Sequence, residues 1–285
     1  MYGLLISFKE FELIKGVLGS SFSGLAGFER IVTDANFWRA FRNTFMISLY
    51  GMVFGFPIPI ILALLFSEVK NQVYRSALQI LSYLPKFVST VVVTSLVKLL
   101  CSPQNVAGGY AGGLITRALT AINMIPEGTA IFKNPQYFRA IFQITGIWEA
   151  AGYGSIVYFA AILAISPTSY EAARMDGANK MAQIRYVTFP GIASTLTIML
   201  ILDIGKLFTV GYEKVYLLYS RDIWETADIV ATYVMRAAGM ASGGEQSLLA
   251  RSVAASADLF NSLIAMFLVI GSNMIARRVS DTSLY

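Results

Sequence analysis

The sequence contains no histidine and only one cysteine, Cys101, among 285 residues. It therefore cannot form a Ser-His or Cys-His catalytic pair, a histidine-ligated metal site or an internal disulfide bond. Charged residues are scarce as well, at 14% of the chain, compared with about 25% in ordinary soluble domains. The formal charge of +5 is scattered without a basic run, so nucleic acid is not an expected partner. With 56% hydrophobic residues, the composition predicts a membrane protein.

Long apolar stretches support this prediction. A bilayer core about 30 Å thick needs about 20 mostly apolar residues in each spanning helix. Five stretches reach that length, at residues 43–66, 77–100, 140–165, 192–210 and 252–275. No repeat, low-complexity tract or soluble domain interrupts them. The sequence therefore predicts an all-α integral membrane fold with five full spans, in a single transmembrane domain covering residues 1–285.

The amino-terminal segment, residues 1–7, is apolar but much too short to span a membrane. It lacks the basic opening, the longer apolar core and the small-residue cleavage site of a signal peptide. We expect it to be the end of a truncated first helix that begins upstream of this sequence.

The polar connectors indicate the orientation of the chain. Three long connectors, residues 8–42, 102–139 and 211–251, fall on one side if the five spans alternate in direction. The other side is richer in basic residues for its length, with Lys70, Arg75, Arg174, Lys180, Arg185, Arg277 and Arg278. Because positively charged loops stay in the cytoplasm, this second side is predicted to be cytoplasmic.

One cytoplasmic connector, residues 166–190, carries helical signals that a plain linker does not need. Thr168 and Glu171 have the spacing of a capping box, and Pro167 suits the start of a helix. Gly177 permits a sharp turn at the end of this first short helix. The connector is therefore expected to be a folded element at the membrane surface.

The second half of the connector predicts another short helix, over residues 178–187, which Pro190 ends. Met181, Ile184 and Val187 are expected along one side of it, at spacings of three. Flanked by basic residues, this apolar ridge is an expected docking surface for another protein. A capped interfacial helix with no special role is the alternative.

The connector resembles the EAA loop of binding-protein-dependent ABC importer permeases, which have a MetI-like helical fold. The matching residues are Glu171, Ala172, Ala173, Asp176, Gly177, Ala178 and Pro190. The resemblance implies that the loop, including Met181 and Ile184, forms a coupling helix that fits a cleft on an ATPase subunit. It also implies a second permease subunit as a heterodimer partner, two ATPase subunits and an extracytoplasmic solute-binding protein.

Other stretches resemble the polysaccharide-importer branch, which includes LplB-like subunits and permeases for alginate and for pectin-derived oligosaccharides. These stretches are FKEFELIKGVLGS, FRNTFMISLYGMVFGFPIPIILALL, SYLPKF, ADIVATYV and NMIARR, and the similarity runs from Gly3 to nearly the last residue. It implies a bacterial cytoplasmic-membrane protein that carries oligosaccharides inward by alternating access. Lys86 departs from the pattern because a histidine is expected there, and Lys206 is an unusual charge within a span. Both departures affect which substrate is expected and not which family the sequence resembles.

Ionisable groups inside spans are costly and usually face a cavity or a partner, so they are candidates for the substrate path. Asp203 and Lys206 are expected on one helical face near mid-membrane, where they could neutralise each other or pair with the second permease. Trp148, Glu149 and Tyr153 suit sugar binding by stacking and hydrogen bonds, although such aromatic residues also serve as interface anchors. Three further candidates are Asn43, Tyr50 and Lys86.

The chain has no GxxxxGK[ST] phosphate loop and no acidic cluster for Mg²⁺. ATP is therefore expected on partner subunits, and no cofactor or enzymatic activity is expected here. A permease for amino acids, peptides or another non-sugar solute stays open as an alternative. A secondary transporter also stays open, although it requires no docking loop and the sequence contains no inverted repeat.

Overall fold

A computed structural model describes residues 2–12, 14–103, 112–239 and 250–279 of the chain. In these ranges the chain is almost entirely helical. Two short strands, β1 (Lys9–Glu10) and β2 (Ser21–Phe22), pair antiparallel with Lys9 opposite Phe22. The predicted all-α architecture is therefore confirmed.

The helices within the described ranges follow one another with short connections. In chain order they are α1 (Tyr2–Ile6), α2 (Gly16–Gly19), α3 (Ala26–Thr33), α4 (Ala35–Tyr50), α5 (Pro57–Glu68), α6 (Gln72–Tyr83), α7 (Thr90–Leu100), α8 (Leu114–Ala121), α9 (Pro135–Leu163), α10 (Pro167–Met175), α11 (Lys180–Gln183), α12 (Phe189–Gly191), α13 (Ala193–Gly205), α14 (Tyr212–Leu218), α15 (Trp224–Ala227), α16 (Val230–Ala237) and α17 (Ala250–Val279). The shorter turns are π-helical at Gly51–Gly55 and Ile184–Thr188, and 3-10 helical at Leu84–Phe87, Ile131–Lys133 and Arg221–Ile223.

Three helical stretches of the described chain are long and apolar enough to cross a membrane. They are Ala35–Glu68, Pro135–Leu163 and Arg251–Arg277, and each overlaps a predicted span. The first contains the π-turn Gly51–Gly55 shortly before Pro57. Proline lacks the N–H that an α-helical ladder needs, and the widened turn accommodates this interruption.

The second predicted span is bent, and the fourth, residues 192–210, contains only the 13-residue helix α13, which follows a bend. Both findings correct the expectation from sequence. The broken segments are Gln72–Phe87 with Thr90–Leu100, bent by 97°, and Lys180–Gly191 with Ala193–Gly205, bent by 67°. Pro85 lies shortly before the first break and Pro190 shortly before the second. Each proline removes a backbone donor from the helical ladder. The chain has five spans if each bent pair crosses the membrane once.

The chain divides into two compact units, each with its own core. The first comprises Met1–Leu49, Thr90–Phe142 and Lys206–Met266, and the second comprises Tyr50–Ser89, Gln143–Gly205 and Phe267–Tyr285. The largest fully buried side chain described in the first unit is Phe37, whose ring contacts the rings of Tyr233 and Phe260. The core of the second unit consists of Ile60, Ala63, Tyr158, Ile162 and Ile192. The assignment of one transmembrane domain stays a prediction.

The opening segment is helical, as α1 shows, and the chain that follows it is fastened to α17. The Ser252 hydroxyl donates to the Lys9 carbonyl and accepts from the Phe11 N–H. One turn later, the Ser256 hydroxyl donates to the Ser7 carbonyl at 3.0 Å. These bonds satisfy backbone groups of the amino-terminal hairpin. The helix expected upstream of it stays a prediction.

Candidate functional site

The loop that resembles the EAA motif, residues 166–190, is called the EAA loop below and begins with α10. Ser166 occupies the N-cap position and Pro167 is the first helical residue, a position that suits proline because no helical partner awaits its missing N–H. Thr168 is therefore inside the helix, and the capping box predicted between Thr168 and Glu171 does not form. The Thr168 hydroxyl lies 2.7 Å from the Ser166 hydroxyl instead.

A tight turn ends α10 at Gly177, where φ is +78°. The Gly177 N–H donates to the Arg174 carbonyl at 3.0 Å. The Ala178 N–H donates to the Ala173 carbonyl at 2.9 Å, which completes a Schellman motif. No atom lies within 4 Å of a Cβ placed on Gly177, so the positive φ alone favours glycine here. The predicted turn is confirmed.

The second half of the loop begins later than predicted. Asn179 caps it, because its side chain accepts a hydrogen bond from the Ala182 N–H at 2.9 Å. The helix α11 starts at Lys180 and gives way to a π-turn after only four residues. The predicted second short helix is therefore confirmed as the helical segment Lys180–Gly191, with a later start and a π-turn that the sequence did not indicate. Pro190 lies in α12, at the bend before α13, so its predicted role as the end of the loop is confirmed.

The apolar ridge of the loop also differs from the prediction. Met181 is 71% exposed, but Ile184 and Val187 are only partly exposed. A π-turn makes i→i+5 hydrogen bonds, so side chains three residues apart no longer lie on one side. The most exposed apolar side chains of the loop are Met175, Met181 and Tyr186.

The other residues of the EAA match lie at or near the surface of the loop. Glu171, Ala172 and Asp176 are exposed, and Ala173 and Ala178 are partly exposed. Small alanine side chains beside two carboxylates allow another protein to approach this turn closely. The loop can therefore present both charge and apolar surface to a partner.

Two side-chain contacts position the loop within the second unit. The Tyr170 hydroxyl lies 3.0 Å from the Thr188 hydroxyl, which links α10 to the π-turn. The Lys180 ammonium lies 2.6 Å from a Glu68 carboxylate oxygen, which links the loop to the end of α5. The side chains of Lys180 and Glu68 are 62% and 47% exposed, so water weakens this pair to about 1 kcal/mol or less. The link to α5 is therefore easy to break.

The candidate residues for the substrate path do not all lie together. Lys86 is exposed in the 3-10 turn at the first helix break. Its neighbour Phe87 makes an edge contact with Tyr153, with ring centroids 6.0 Å apart. Gly152 allows α9 to approach α6 closely, because a Cβ there would collide with the Ser82 carbonyl. Tyr153 is 47% exposed, so an ammonium group and an aromatic ring are both accessible at the break.

Three other candidates lie in the second unit. Trp148 is 49% exposed on α9, and Glu149 beside it is partly exposed. Trp148 and Tyr153 are five residues apart on α9 and therefore point in different directions. Their role in sugar binding stays a prediction. Tyr50, at the end of α4, contacts the ring of Phe54 at a centroid distance of 6.3 Å.

Asn43 is buried in the first unit, with 2% of its surface exposed. Its side-chain amide donates to the carbonyls of Glu225 and Asp228, at 2.8 and 3.0 Å. Its side-chain oxygen accepts from Arg139 at 2.9 Å. Both polar atoms of this carboxamide therefore form hydrogen bonds, and these bonds anchor the chain before α16. This position differs from the expected role in the substrate path.

A charged cluster next to Asn43 was missed in the sequence. The Asp228 carboxylate has no exposed surface and accepts two hydrogen bonds from Arg236, at 2.7 and 2.9 Å. Thr232 donates to it at 2.8 Å, and Arg39 lies 3.4 Å away. Burial raises the pKa of Tyr219 to about 12, and the charge of Asp228 adds to this. The sequence signal that could have revealed this cluster is Asp228, an isolated carboxylate in the apolar stretch ADIVATYV.

The helix that carries Asp203 ends just before Lys206. Asp203 is partly exposed on α13, which ends at Gly205. Lys206 lies in the following turn, where its carbonyl accepts from the Thr209 N–H at 2.8 Å. The helix therefore ends between the two residues, and their pairing stays a prediction.

Comparisons with known proteins identify the family. The model of the "Binding-protein-dependent transport system inner membrane component" family matches residues 55–210. The polygalacturonan/rhamnogalacturonan transport system permease protein YteP of Bacillus subtilis (strain 168) is 34% identical over 285 residues, covering 100% of this chain and 84% of YteP. Protein LplB of the same organism is 32% identical over 285 residues, covering 100% of this chain and 85% of LplB.

A solved structure is similar over nearly the whole chain. It is the crystal structure of a bacterial alginate ABC transporter in complex with an alginate pentasaccharide-bound periplasmic protein. The match has a TM-score of 0.85 and 33% sequence identity, and covers 99% of this chain and 88% of the other. The chain is thus a multi-pass permease of the bacterial cytoplasmic membrane and not an enzyme. It belongs to the family of binding-protein-dependent transport system inner membrane components.

Proposed function

We propose that this chain is the permease subunit of an ATP-driven importer that carries polysaccharide-derived oligosaccharides into the cell by alternating access. The observation that supports this most directly is the EAA loop, an exposed turn closed by a Schellman motif at Gly177. The similarity to YteP and to the alginate transporter supports the carbohydrate substrate.

In this proposal the loop is the element through which the ATPase subunits move the permease. The loop lies on the cytoplasmic side, and Met175 and Met181 fill an apolar cleft on the ATPase. Glu171 and Asp176 fix the orientation of the docked loop through their exposed carboxylates. ATP is bound and hydrolysed only by the partner subunits, and this chain needs no cofactor.

The other proposed partners are a second permease subunit, which completes the path as a heterodimer, and an extracytoplasmic solute-binding protein. The similar alginate transporter was solved with its periplasmic protein, which supports a partner of that class. The two ATPase subunits bind the two permeases from the cytoplasm.

We place the sugar contacts at the helix break beside Lys86 and Tyr153. Irregular backbone at membrane depth is tolerated where it is buried in protein or lines a water-filled cavity. The exposed ring of Tyr153 offers stacking to a sugar ring, and Lys86 offers a positive charge to a sugar carboxylate. An anionic oligosaccharide fits this pair better than a neutral one. Trp148, Glu149 and Asp203 are secondary candidates along the same unit.

The decisive experiment reconstitutes the chain with its partner subunits in liposomes and measures ATP turnover with different loaded binding proteins. An oligosaccharide-loaded binding protein is expected to stimulate turnover. Stimulation only by a peptide- or amino-acid-loaded protein would contradict the substrate, and solute uptake without ATPase subunits would indicate a secondary transporter.

The role of the loop is tested separately with Glu171→Lys. Reversing this exposed charge is expected to abolish stimulated ATP turnover while leaving membrane insertion intact. Glu127→Lys is the matched control, because Glu127 is also exposed but lies outside the loop. Equal turnover in the two variants would count against docking through the EAA loop.

A further inference from the structure

A cavity of about 390 Å³ lies behind the EAA loop, within the second unit. Its floor is formed by the ends of two spanning helices, with Leu64 and Glu68 from α5 and Ile162 from α9. Its rim is formed by the loop itself, including Arg174 and Lys180. Because α5 and α9 both end here, the cavity lies where apolar helix surface gives way to polar connectors. This is the depth of lipid headgroups.

A separate apolar groove lies in the same unit and shares one lining residue with this cavity. The groove has a volume of about 360 Å³ and runs between α5 and α13. Leu64 lines both the cavity and the groove. The other groove residues are Phe56, Pro57, Ile60, Ile61, Phe189, Leu196, Thr197 and Leu200. The cavity with its polar rim and the apolar groove therefore meet at Leu64. Together they match the shape of a molecule with a polar head and an apolar chain.

The charge around the cavity favours an anionic head. Three basic side chains, Lys70, Arg174 and Lys180, face two carboxylates, Glu68 and Glu171, in its lining. Lys180 is already paired with Glu68. Within the described part of the chain, neither Lys70 nor Arg174 forms an ion pair. Two cations and one further carboxylate, Glu171, thus remain in the lining, which leaves a net positive charge for a phosphate group. Basic pockets between spanning helices on the cytoplasmic side suit anionic headgroups.

We propose that this cavity and groove bind one anionic phospholipid of the cytoplasmic leaflet. The phosphate lies between Lys70 and Arg174, and an acyl chain follows the groove past Leu64 towards Leu200. The lipid joins the connector after α5 to the EAA loop, beside the weak link between Glu68 and Lys180. It therefore steadies the loop in the position that an ATPase subunit engages. The proposal rests on the cytoplasmic placement of the loop and is independent of the transported substrate.

Lipid retention by the purified full chain tests the proposal by native mass spectrometry. The probes are phosphatidylglycerol and phosphatidylcholine with identical acyl chains. We expect one phosphatidylglycerol to be retained preferentially. Lys70→Gln is expected to weaken its retention about fivefold, the change that corresponds to about 1 kcal/mol for one basic side chain. Lys98→Gln, which removes an exposed lysine from α7, is the matched control and is expected to change nothing.

A second pair of variants tests the groove without altering charge. Leu200 lines the groove and Leu65 does not, and both are exposed, at 38% and 58%. Leu200→Trp is expected to reduce retention of phosphatidylglycerol severalfold, and Leu65→Trp is expected to leave it unchanged. Because both positions are exposed, both variants are expected to fold, and gel filtration checks this.

Several outcomes would overturn the proposal. Equal retention of the two lipids would exclude selection by charge, and equal behaviour of Lys70→Gln and Lys98→Gln would exclude the cavity. Displacement of the lipid by soluble glycerol 3-phosphate would identify a soluble anion as the occupant. Loss of the lipid on assembly with the partner permease would show that the groove is a protein interface. All of these are measured without ATP, so they are distinct from a failure of ATPase coupling.

Discussion

Gly177→Ala tests whether the turn of the EAA loop transmits the signal of the ATPase. At a φ of +78°, alanine costs about 1–2 kcal/mol relative to glycine, because its Cβ crowds the following carbonyl oxygen. Nothing lies within 4 Å of the added Cβ, so no neighbour is displaced and the cost is confined to the backbone. A change of this size reduces the population of the turn roughly five- to thirtyfold relative to competing conformations.

Two more substitutions at Gly177 are expected to give a smaller and a larger loss of coupling than alanine. Gly177→Asn is expected to retain most coupling, because asparagine tolerates the left-handed region better than other residues. Gly177→Pro is expected to abolish coupling, because proline fixes a negative φ and removes the N–H that donates to Arg174. Gly128→Ala is the matched control, since Gly128 has a φ of +74° and also has nothing within 4 Å of an added Cβ.

The assay is ATP turnover by the reconstituted importer, with and without a loaded binding protein. We expect the ratio of the two rates to fall in the order Gly177→Asn, Gly177→Ala, Gly177→Pro, while Gly128→Ala keeps the ratio of the unmodified chain. Protein recovered in the membrane fraction checks insertion. A normal ratio for Gly177→Pro, or equal losses at Gly177 and Gly128, would refute the role of the turn.

Three further predictions concern charged side chains. Glu68→Lys should lower the coupling of ATP turnover by repelling Lys180, and the double variant Glu68→Lys with Lys180→Glu should restore it. The unfolding temperature should shift little because the pair is exposed. No rescue by the double variant would contradict the contact. Lys86→Gln should raise the concentration of an acidic oligosaccharide needed for half-maximal uptake, with little change for a neutral one, and equal shifts for both would argue against charge recognition. Asp228→Asn should destabilise the first unit by about 3–5 kcal/mol by leaving Arg236 without its buried counter-ion, seen as a lower unfolding temperature in detergent; an unchanged temperature would contradict this.

Features determined by a residue and its near neighbours were predictable from the sequence. The spans follow from the length of apolar runs, and each predicted run overlaps a spanning helix or a bent pair. The turn at Gly177 follows from the φ that glycine alone adopts without cost. The end of the loop at Pro190 follows from the missing N–H of proline.

Features that depend on distant partners were not predictable. Asn43 was expected in a polar path, but its hydrogen-bond partners include Glu225 and Asp228, which are 182 and 185 residues away in the chain. A π-turn follows α11, so the period of a regular α-helix misplaced Ile184. Lys206 was placed on a helix that ends one residue earlier, at Gly205, and apolar composition does not mark that end.

The contacts at the base of the EAA loop indicate which helices an ATPase would move together. Gly191 lies against Ile165, whose Cδ1 is only 2.6 Å from where a Cβ of residue 191 would lie, so the end of α9 and the start of α13 are packed backbone against side chain. The link from the loop to α5 is an exposed ion pair between Lys180 and Glu68. A force on the loop therefore breaks this ion pair first, while the buried core of Ile60, Ala63, Tyr158, Ile162 and Ile192 moves α5, α9 and the start of α13 together. Because α9 also carries Tyr153 next to Phe87, this movement reaches the helix break where the sugar is proposed to bind.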